Sequence, residues 1–439
     1  MTFPQTHSRP IHRNSELGDW CRTSAVFLPF LASLSLASST CAQSSSPVPS
    51  SLVQAEHMQR HGLKLKMNGV RYAANQAQRP EFAQLEVPIT QTLYLDDLGQ
   101  FEMHSHSLYP GNIRFHFEIK GNQTGMATID TLFWRNGIEI ERADGAVAKQ
   151  FYADQTFLVP SLLREKAQHF RDLNTPLEFH GKYEFKAFED SFGRPASATI
   201  DSMSKRIVAA RSGTTLYQYT QSSPTHWNVV VSNSGGTTAL WEIESEVIGT
   251  QELSLTFDSP YQEKTPRGAP RLDQIAPGVL RLNGAASNYH SHFVIGDQAI
   301  VVFDTPVSSS ETAQAKALLE KNFSTKPITH IVLSHTHRDH IGGLPSYAIH
   351  GTTVYVGAGG STALARQFPS QLQAQIKETH HHEVIDLGQR RIHLYSVLSS
   401  HATDMLVAYD EVSGILFQGD FFTLSERGPV AVAFDVNQE

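Results

Sequence analysis

The chain has 439 residues, 40 % of them hydrophobic, and 35 Lys+Arg set against 43 Asp+Glu leave a formal charge of −8. This is an ordinary soluble composition, long enough for two or three domains, and without the basic excess that would argue for DNA or RNA as an obligate partner. Its two cysteines, Cys21 and Cys41, lie in the first tenth of the chain. The body therefore holds neither a disulfide framework nor a cysteine zinc cluster, and any metal there falls to carboxylates and the 22 histidines.

The first segment reads as an export signal. The apolar run from Ala25 to Leu36 follows Arg9, Arg13 and Arg22 and precedes small residues up to Ala42. At about 1.5 Å per residue it covers roughly 18 Å, short of a hydrocarbon core of about 30 Å, so it is a signal h-region rather than a span. Residues 1–42 are expected to be a signal peptide, with lipid-anchored Cys41 as the rival reading, and Ser/Pro-rich 43–51 a flexible leader. The mature chain is expected in an exported compartment, periplasmic or secreted, with no transmembrane span.

Residues 52–260 read as an antiparallel β-rich domain. Ile113, Phe115, Phe117 and Ile119 alternate with Arg114, His116, Glu118 and Lys120, a period of two. Asn136-Gly137 is a hairpin signal, because both central residues of a type I′ turn need positive φ. A helix is expected from Pro160 to Leu173, and strands over 182–188 and 227–232. His104 and His106 are read as solvent-facing strand residues. The Pro/Gly-bearing stretch 261–271 reads as a linker.

From 272 onward, short apolar strands alternate with amphipathic helices. A hairpin, Phe293 to Ile295 and Ala299 to Phe303, ends at Asp304, with His290 and His292 beside it at the expected cleft mouth. Ser308 to Ser310 cap a helix bearing Ala315, Leu318, Leu319 and Phe323 on one face, and Ile328 to Leu333 is a buried strand. Where that strand stops stands Ser334-His335-Thr336-His337-Arg338-Asp339-His340-Ile341-Gly342-Gly343. Three imidazoles and a carboxylate within six residues are good ligands for a first-row metal. The spacing lets His335 and His337 approach one ion while Asp339 and His340 project toward another. His401, ending a strand-like stretch, and Asp420, after Gln418-Gly419, complete the set. A third imidazole would close a three-His site with an open position, and a two-oxygen carboxylate could bridge two ions. His380-His381-His382 reads as a polar loop.

These residues resemble the metallo-β-lactamase superfamily of metal-dependent hydrolases, whose hallmark loop is His-x-His-x-Asp-His at a strand end. The resemblance covers about 272–439 and implies an α+β chain: a C-terminal αββα sandwich after the β-rich domain. It implies His335, His337 and His401 on one metal, Asp339 and His340 on a second, Asp420 between them, and Asp304 steadying the loop. His337 stands where the related flavo-diiron proteins carry Glu, which favours zinc hydrolysis over oxygen reduction. More loosely, His401-Ala402-Thr403-Asp404 resembles exported hydrolases with an N-terminal β-rich domain. The superfamily's final His ligand comes well after the Gly-Asp, whereas no His follows Asp420. A chain truncated at its C-terminus and a mono-zinc or inactive protein are the two readings of that difference.

The expected activity is zinc-dependent hydrolysis of an ester, lactone, thioester, amide or phosphoester bond in a small-molecule substrate. Zn2+ lowers the pKa of water from about 15.7 toward about 7, and Asp339 and Asp420 are the catalytic carboxylates that orient the nucleophile and take a proton. Two zinc ions are expected in the complete fold and one is possible in this chain. The alternative is a degenerate scaffold with an N-terminal ligand-binding module; a third option places redox iron in the same ligands.

Overall fold

A computed structural model describes residues 61–109, 113–131, 139–167, 178–190, 194–250, 253–264, 268–284, 289–424 and 431–433. The export signal, the leader, the Asn136-Gly137 turn, the second half of the helix expected up to Leu173 and the tail beyond 433 lie outside these residues.

The N-terminal half forms one sheet of fourteen described strands. The first, His61–Ala74, pairs antiparallel with the last long one, Gly236–Gly249, which sets Leu65 opposite Ser245. On the other side of His61–Ala74 lie Gln84–Asp96, Phe101–Tyr109, Ile113–Asn122, Gly125–Asp130 and Glu139–Asp144; beyond Gly236–Gly249 the order runs back through His226–Asn233 to Glu178–His180. Two meanders thus spread outward from a central pair. Alternation selects the inner face: Ala239, Trp241 and Ile243 are buried while their neighbours Leu240 and Glu242 face out. Against that face lie two helices, Gly145–Thr156 and Pro160–Ala167, contributing Ala148, Tyr152 and Leu163, with Phe157 to Val159 of the turn between them. The first helix was not foreseen. Its start is a side-chain cap, Asp144 accepting from Ala146 N and Val147 N at 2.9 and 3.0 Å.

The start of the stretch expected to be a linker pairs with this sheet, while its last residue, Arg271, opens the next one. Gln262–Glu263 pairs parallel with Glu139–Asp144, and Arg142 grips Glu263 at 2.5 Å.

A second, mixed sheet follows, in the order Arg271–Ala276, Val279–Asn283, His292–Ile295, Ile300–Phe303, Ile328–Val332, Thr353–Gly357, Gln375–Thr379. Its first four strands run as an antiparallel meander and the remaining contacts are parallel. Ile300–Phe303 is buried at all four positions, as a strand covered on both faces must be. One face carries Ser309–Asn322 and Gly360–Gln367, with Ala315, Leu319 and Leu364 packed on Phe293, Val302, Ile331 and Val354. The other carries a four-stranded antiparallel sheet, His382–Asp386, Arg391–Ser396, Leu406–Asp410 and Ile415–Phe417. Phe303 and Phe417 stack between the sheets, 4.1 Å between ring centroids. The described residues thus give three layers, helix, sheet and sheet, and none of them forms a helix over the outer face of the four-stranded sheet. No described helix is long and apolar enough to cross a membrane.

Candidate metal centre

The parallel strand Ile328–Val332 delivers the chain to the edge of the second sheet, where its backbone ladder ends and side chains are free to converge. His335 lies there fully buried. Its neighbour His337 begins the short helix Arg338–Ile341, which turns Asp339 and His340 back toward the strand end. Gly342 permits this turn, since a Cβ on it would sit 2.1 Å from the carbonyl of Val307. The segment from Asp304 to Val307 grips the same helix through Thr305 N to His340 O and Val307 N to Asp339 O, at 2.9 and 2.8 Å. Asp304 and Val307 hold φ of 50° and 59°. Left-handed backbone at a β-branched valine is costly, and the packing around the ligand loop imposes it.

From the opposite sheet come His401 and Asp420. The Gln418-Gly419-Asp420 turn presses so closely on the strand end that a Cβ at Gly419 would meet Ser334 Oγ at 2.2 Å. The six residues singled out by the sequence are therefore neighbours. His335 and His401 face each other with Nε2 atoms 3.2 Å apart, and the His337 ring lies 4.4 and 4.6 Å from these two, centroid to centroid. Asp420 reaches His340 Nε2 at 3.3 Å and His401 Nε2 at 3.5 Å. The donor atoms of His335, His337 and His401 form one group close enough for a single ion, and those of His335, His340 and Asp420 a second. Asp339, expected beside His340, belongs to neither: one oxygen stands 3.8 Å from His340 Nε2, and both accept hydrogen bonds, from Gln76 and Tyr289, each at 2.6 Å.

Outward hydrogen bonds fix how the rings are held. Asp304 accepts from Ser334 N and Oγ and from His340 Nδ1, at 2.7, 2.8 and 3.0 Å. Because Ser334 spends its proton on Asp304, its oxygen can only accept from His335 Nδ1, 3.1 Å away, leaving the lone pair of His335 on Nε2. His337 donates from Nε2 to the carbonyl of Ala77 at 3.1 Å, leaving its lone pair on Nδ1. That His337 Nδ1 is buried without a hydrogen-bond partner, an arrangement that costs free energy unless something else meets it, whereas the equally buried His340 Nε2 has Asp420 beside it at 3.3 Å. Burial, and then the neighbouring imidazoles, push His335 well below the usual histidine value and His337 down to about 4. Burial opposes charge on His340 too, but Asp420 and Asp304 outweigh it and hold that ring protonated. Asp420, with 32 % of its side chain exposed, is held well below the carboxylate range: burial opposes its charge, and His340, then His401 and His337, override it. Uncharged His335 and His337 beside ionised Asp420 are donors that suit a divalent first-row cation, and a cation held by His340 would displace the proton on its Nε2.

Three participants were not foreseen. Buried Asp404 accepts from Thr336 N at 3.0 Å and Thr336 Oγ1 at 2.7 Å and so braces the loop between His335 and His337. The other two, Tyr289 and Gln76, hold Asp339. Asp404 stands three residues after His401 and was within reach of sequence reading; Gln76 lies 263 residues from its partner, and no local pattern marks it. Of the pair expected at the cleft mouth, His292 packs its ring on Phe417 and His290 points Nδ1 at Leu282 O. His380 pairs with Glu378 while His382 joins His393, and the stretch expected to be a polar loop is one only up to His381, because His382 begins the strand His382–Asp386. His104 and His106 are exposed; Lys120 already supplies the cation between Glu102 and Glu118.

Residues 286–438 match the family model described as the metallo-beta-lactamase superfamily. A curated relative, the coenzyme F(420)H(2) oxidase of Methanocaldococcus jannaschii, is 28 % identical over 156 residues, 34 % of this chain and 37 % of its own length. The chain therefore spans little more than a third of that relative. Similar solved structures include rubredoxin oxygen:oxidoreductase from Desulfovibrio gigas, at 19 % identity and TM-score 0.31, covering 37 % of this chain and 43 % of that one. A metallo-beta-lactamase from Cronobacter sakazakii, a mutant in its HARLDQ motif, matches at 17 % identity and TM-score 0.27, over 32 % and 59 %.

Proposed function

We propose, from the premise that residues 286–438 form a domain of the metallo-β-lactamase superfamily, that this chain is a zinc-dependent hydrolase acting on a small molecule. The observation that carries the reading is the buried ring nitrogen His337 Nδ1, without a hydrogen-bond partner, within a cluster of four imidazoles and the carboxylate of Asp420. His335, His337 and His401 would hold one ion and His340 and Asp420 a second, with Asp339 standing beside His340. The metal would supply Lewis acidity and a water acidic enough to attack at neutral pH. The scissile bond is an ester, lactone, thioester, amide or phosphoester.

The protein's own groups divide the remaining work. Asp420 is the carboxylate that reaches solvent between the two groups, and its ionised oxygens orient the attacking water by accepting its hydrogen bond. Asp339 is less exposed, at 12 %, and carries Gln76 and Tyr289 on its oxygens, so it holds position rather than storing a proton. Asp304 and Asp404 keep the loop from relaxing toward its own backbone. On the reading of residues 1–42, this chemistry takes place in an exported compartment, and the fourth layer of an αββα sandwich would cover the outer sheet.

Metal analysis of the purified chain, with turnover of a panel of chromogenic esters, lactones and phosphoesters, tests this. Zinc at one equivalent or more, hydrolysis abolished by chelation and restored by zinc, and loss of most zinc and all turnover in His335→Ala are expected. A His335→Ala chain with full zinc and full turnover would sink the assignment. The relative named as an oxidase favours a second reading, redox chemistry on iron; iron in the isolated protein, with an optical or paramagnetic signal, would replace zinc hydrolysis by it.

A further inference from the structure

The N-terminal sheet lends a loop to the centre. Between the strands His61–Ala74 and Gln84–Asp96, residues 75–83 leave the sheet in a turn closed by Asn75 N to Ala83 O at 2.8 Å, with Asn75 at φ 56°. The loop lies across both segments that bear the candidate ligands. On the 335–340 side, Arg338 N donates to Asn75 O at 3.2 Å, Gln76 Nε2 to Asp339 at 2.6 Å and His337 Nε2 to Ala77 O at 3.1 Å. On the His401 side, Gln78 Nε2 donates to Ser400 O and Thr403 N to Gln78 O, both at 2.8 Å.

From this juxtaposition we infer that residues 75–78 are a built-in part of the metal centre, with Gln76 positioning Asp339 and the Ala77 carbonyl fixing His337 with Nδ1 facing inward. This rests on the metal-centre reading above. Without the carbonyl, His337 is free to turn either nitrogen inward. Without the Gln76 amide, Asp339 keeps only Tyr289 as its anchor and can swing toward solvent. Outer groups of this kind set ring orientation and ligand basicity, and losing one typically costs 10–100-fold in metal affinity. Affinity for metal and docking of the loop are then coupled and reciprocal.

The test uses the full chain in three forms: wild type, Gln76→Ala and Arg79→Ala. Arg79 sits in the same loop, is 60 % exposed and pairs only loosely with Glu81, at 3.9 Å. Zinc is titrated against a chromophoric chelator, and cobalt(II) is substituted to read the visible ligand-field bands. At least one zinc equivalent is expected to weaken by about tenfold or more in Gln76→Ala, with altered cobalt bands, while Arg79→Ala stays at wild type. Wild-type affinity and bands in Gln76→Ala would overturn this inference alone. Equal weakening in both variants would also overturn it, because loosening of the loop would then explain the loss. A wild-type chain that holds no metal overturns this inference and the proposed function together.

Discussion

A single buried imidazole shows how environment decides a side chain's role. His292 and His335 both lie in the C-terminal domain, yet one packs on Phe417 and the other faces His401. Burial first, with His290 adding repulsion, lowers His292 to about 4. In the unfolded chain its value is about 6.5, so between these limits unfolding takes up a proton and folding is favoured by higher pH. Its contribution is complete above pH 6.5 and is lost as pH falls from there toward 4. His292→Phe, which keeps a ring against Phe417, should therefore flatten this acid limb. Going from pH 7 to pH 5, its urea unfolding free energy should fall by about 1–2 kcal/mol less than that of the wild type. Parallel curves for the two proteins would show that His292 titrates normally in the fold.

At the scale of elements, the two C-terminal sheets are joined by more than apolar packing. Arg390, in the turn before the strand Arg391–Ser396, makes a two-pronged pair with Asp410, both contacts at 3.0 Å, and donates to Pro277 O at 2.7 Å and Gly278 O at 3.1 Å on the mixed sheet. Asp410 has no exposed surface and Arg390 only 7 %. The pair's net worth is small, because desolvating two charges offsets their attraction, but breaking it strands a carboxylate in the core. Arg390→Met should cost about 3–5 kcal/mol in chemical denaturation, and adding Asp410→Leu should recover much of that. A single variant within about 1 kcal/mol of wild type would mean the sheets dock without this link. Sequence reading found the hairpin, the first helix and the central strand of this half because their periodicity is local: Ile328 to Leu333 and the helix after Ser308 stand within a residue or two of the observed Ile328–Val332 and Ser309–Asn322, whereas strands such as Thr353–Gly357 and the helix Gly360–Gln367 were not named. The helix Gly145–Thr156 escaped because its buried face includes Asp154, Gln155 and Thr156, polar residues that blur an apolar stripe.

Across the whole molecule, loop 75–83 ties the large sheet to the candidate ligands, so metal and fold should be linked. Zinc at about 100 times its dissociation constant should add about 2.7 kcal/mol to stability if it binds the folded state alone. In thermal unfolding this appears as a midpoint that rises with zinc, falls with chelator and is indifferent to zinc in His335→Ala. A wild-type midpoint unmoved by zinc would show that the cluster does not bind it.

The hexapeptide from His335 to His340, with His401 and Asp420, was legible in the sequence because metal ligands are reactive side chains crowded at strand ends, and crowding is a local property of the chain. The role of Asp304 came only with the resemblance to the superfamily. What only the tertiary structure decided is where Asp339 turns, which nitrogen of His337 faces inward, and that a loop more than 250 residues upstream supplies the groups that fix both. Hydrogen bonds between distant segments leave no periodic trace, since their geometry comes from how the two sheets pack and not from the spacing of neighbours along the chain.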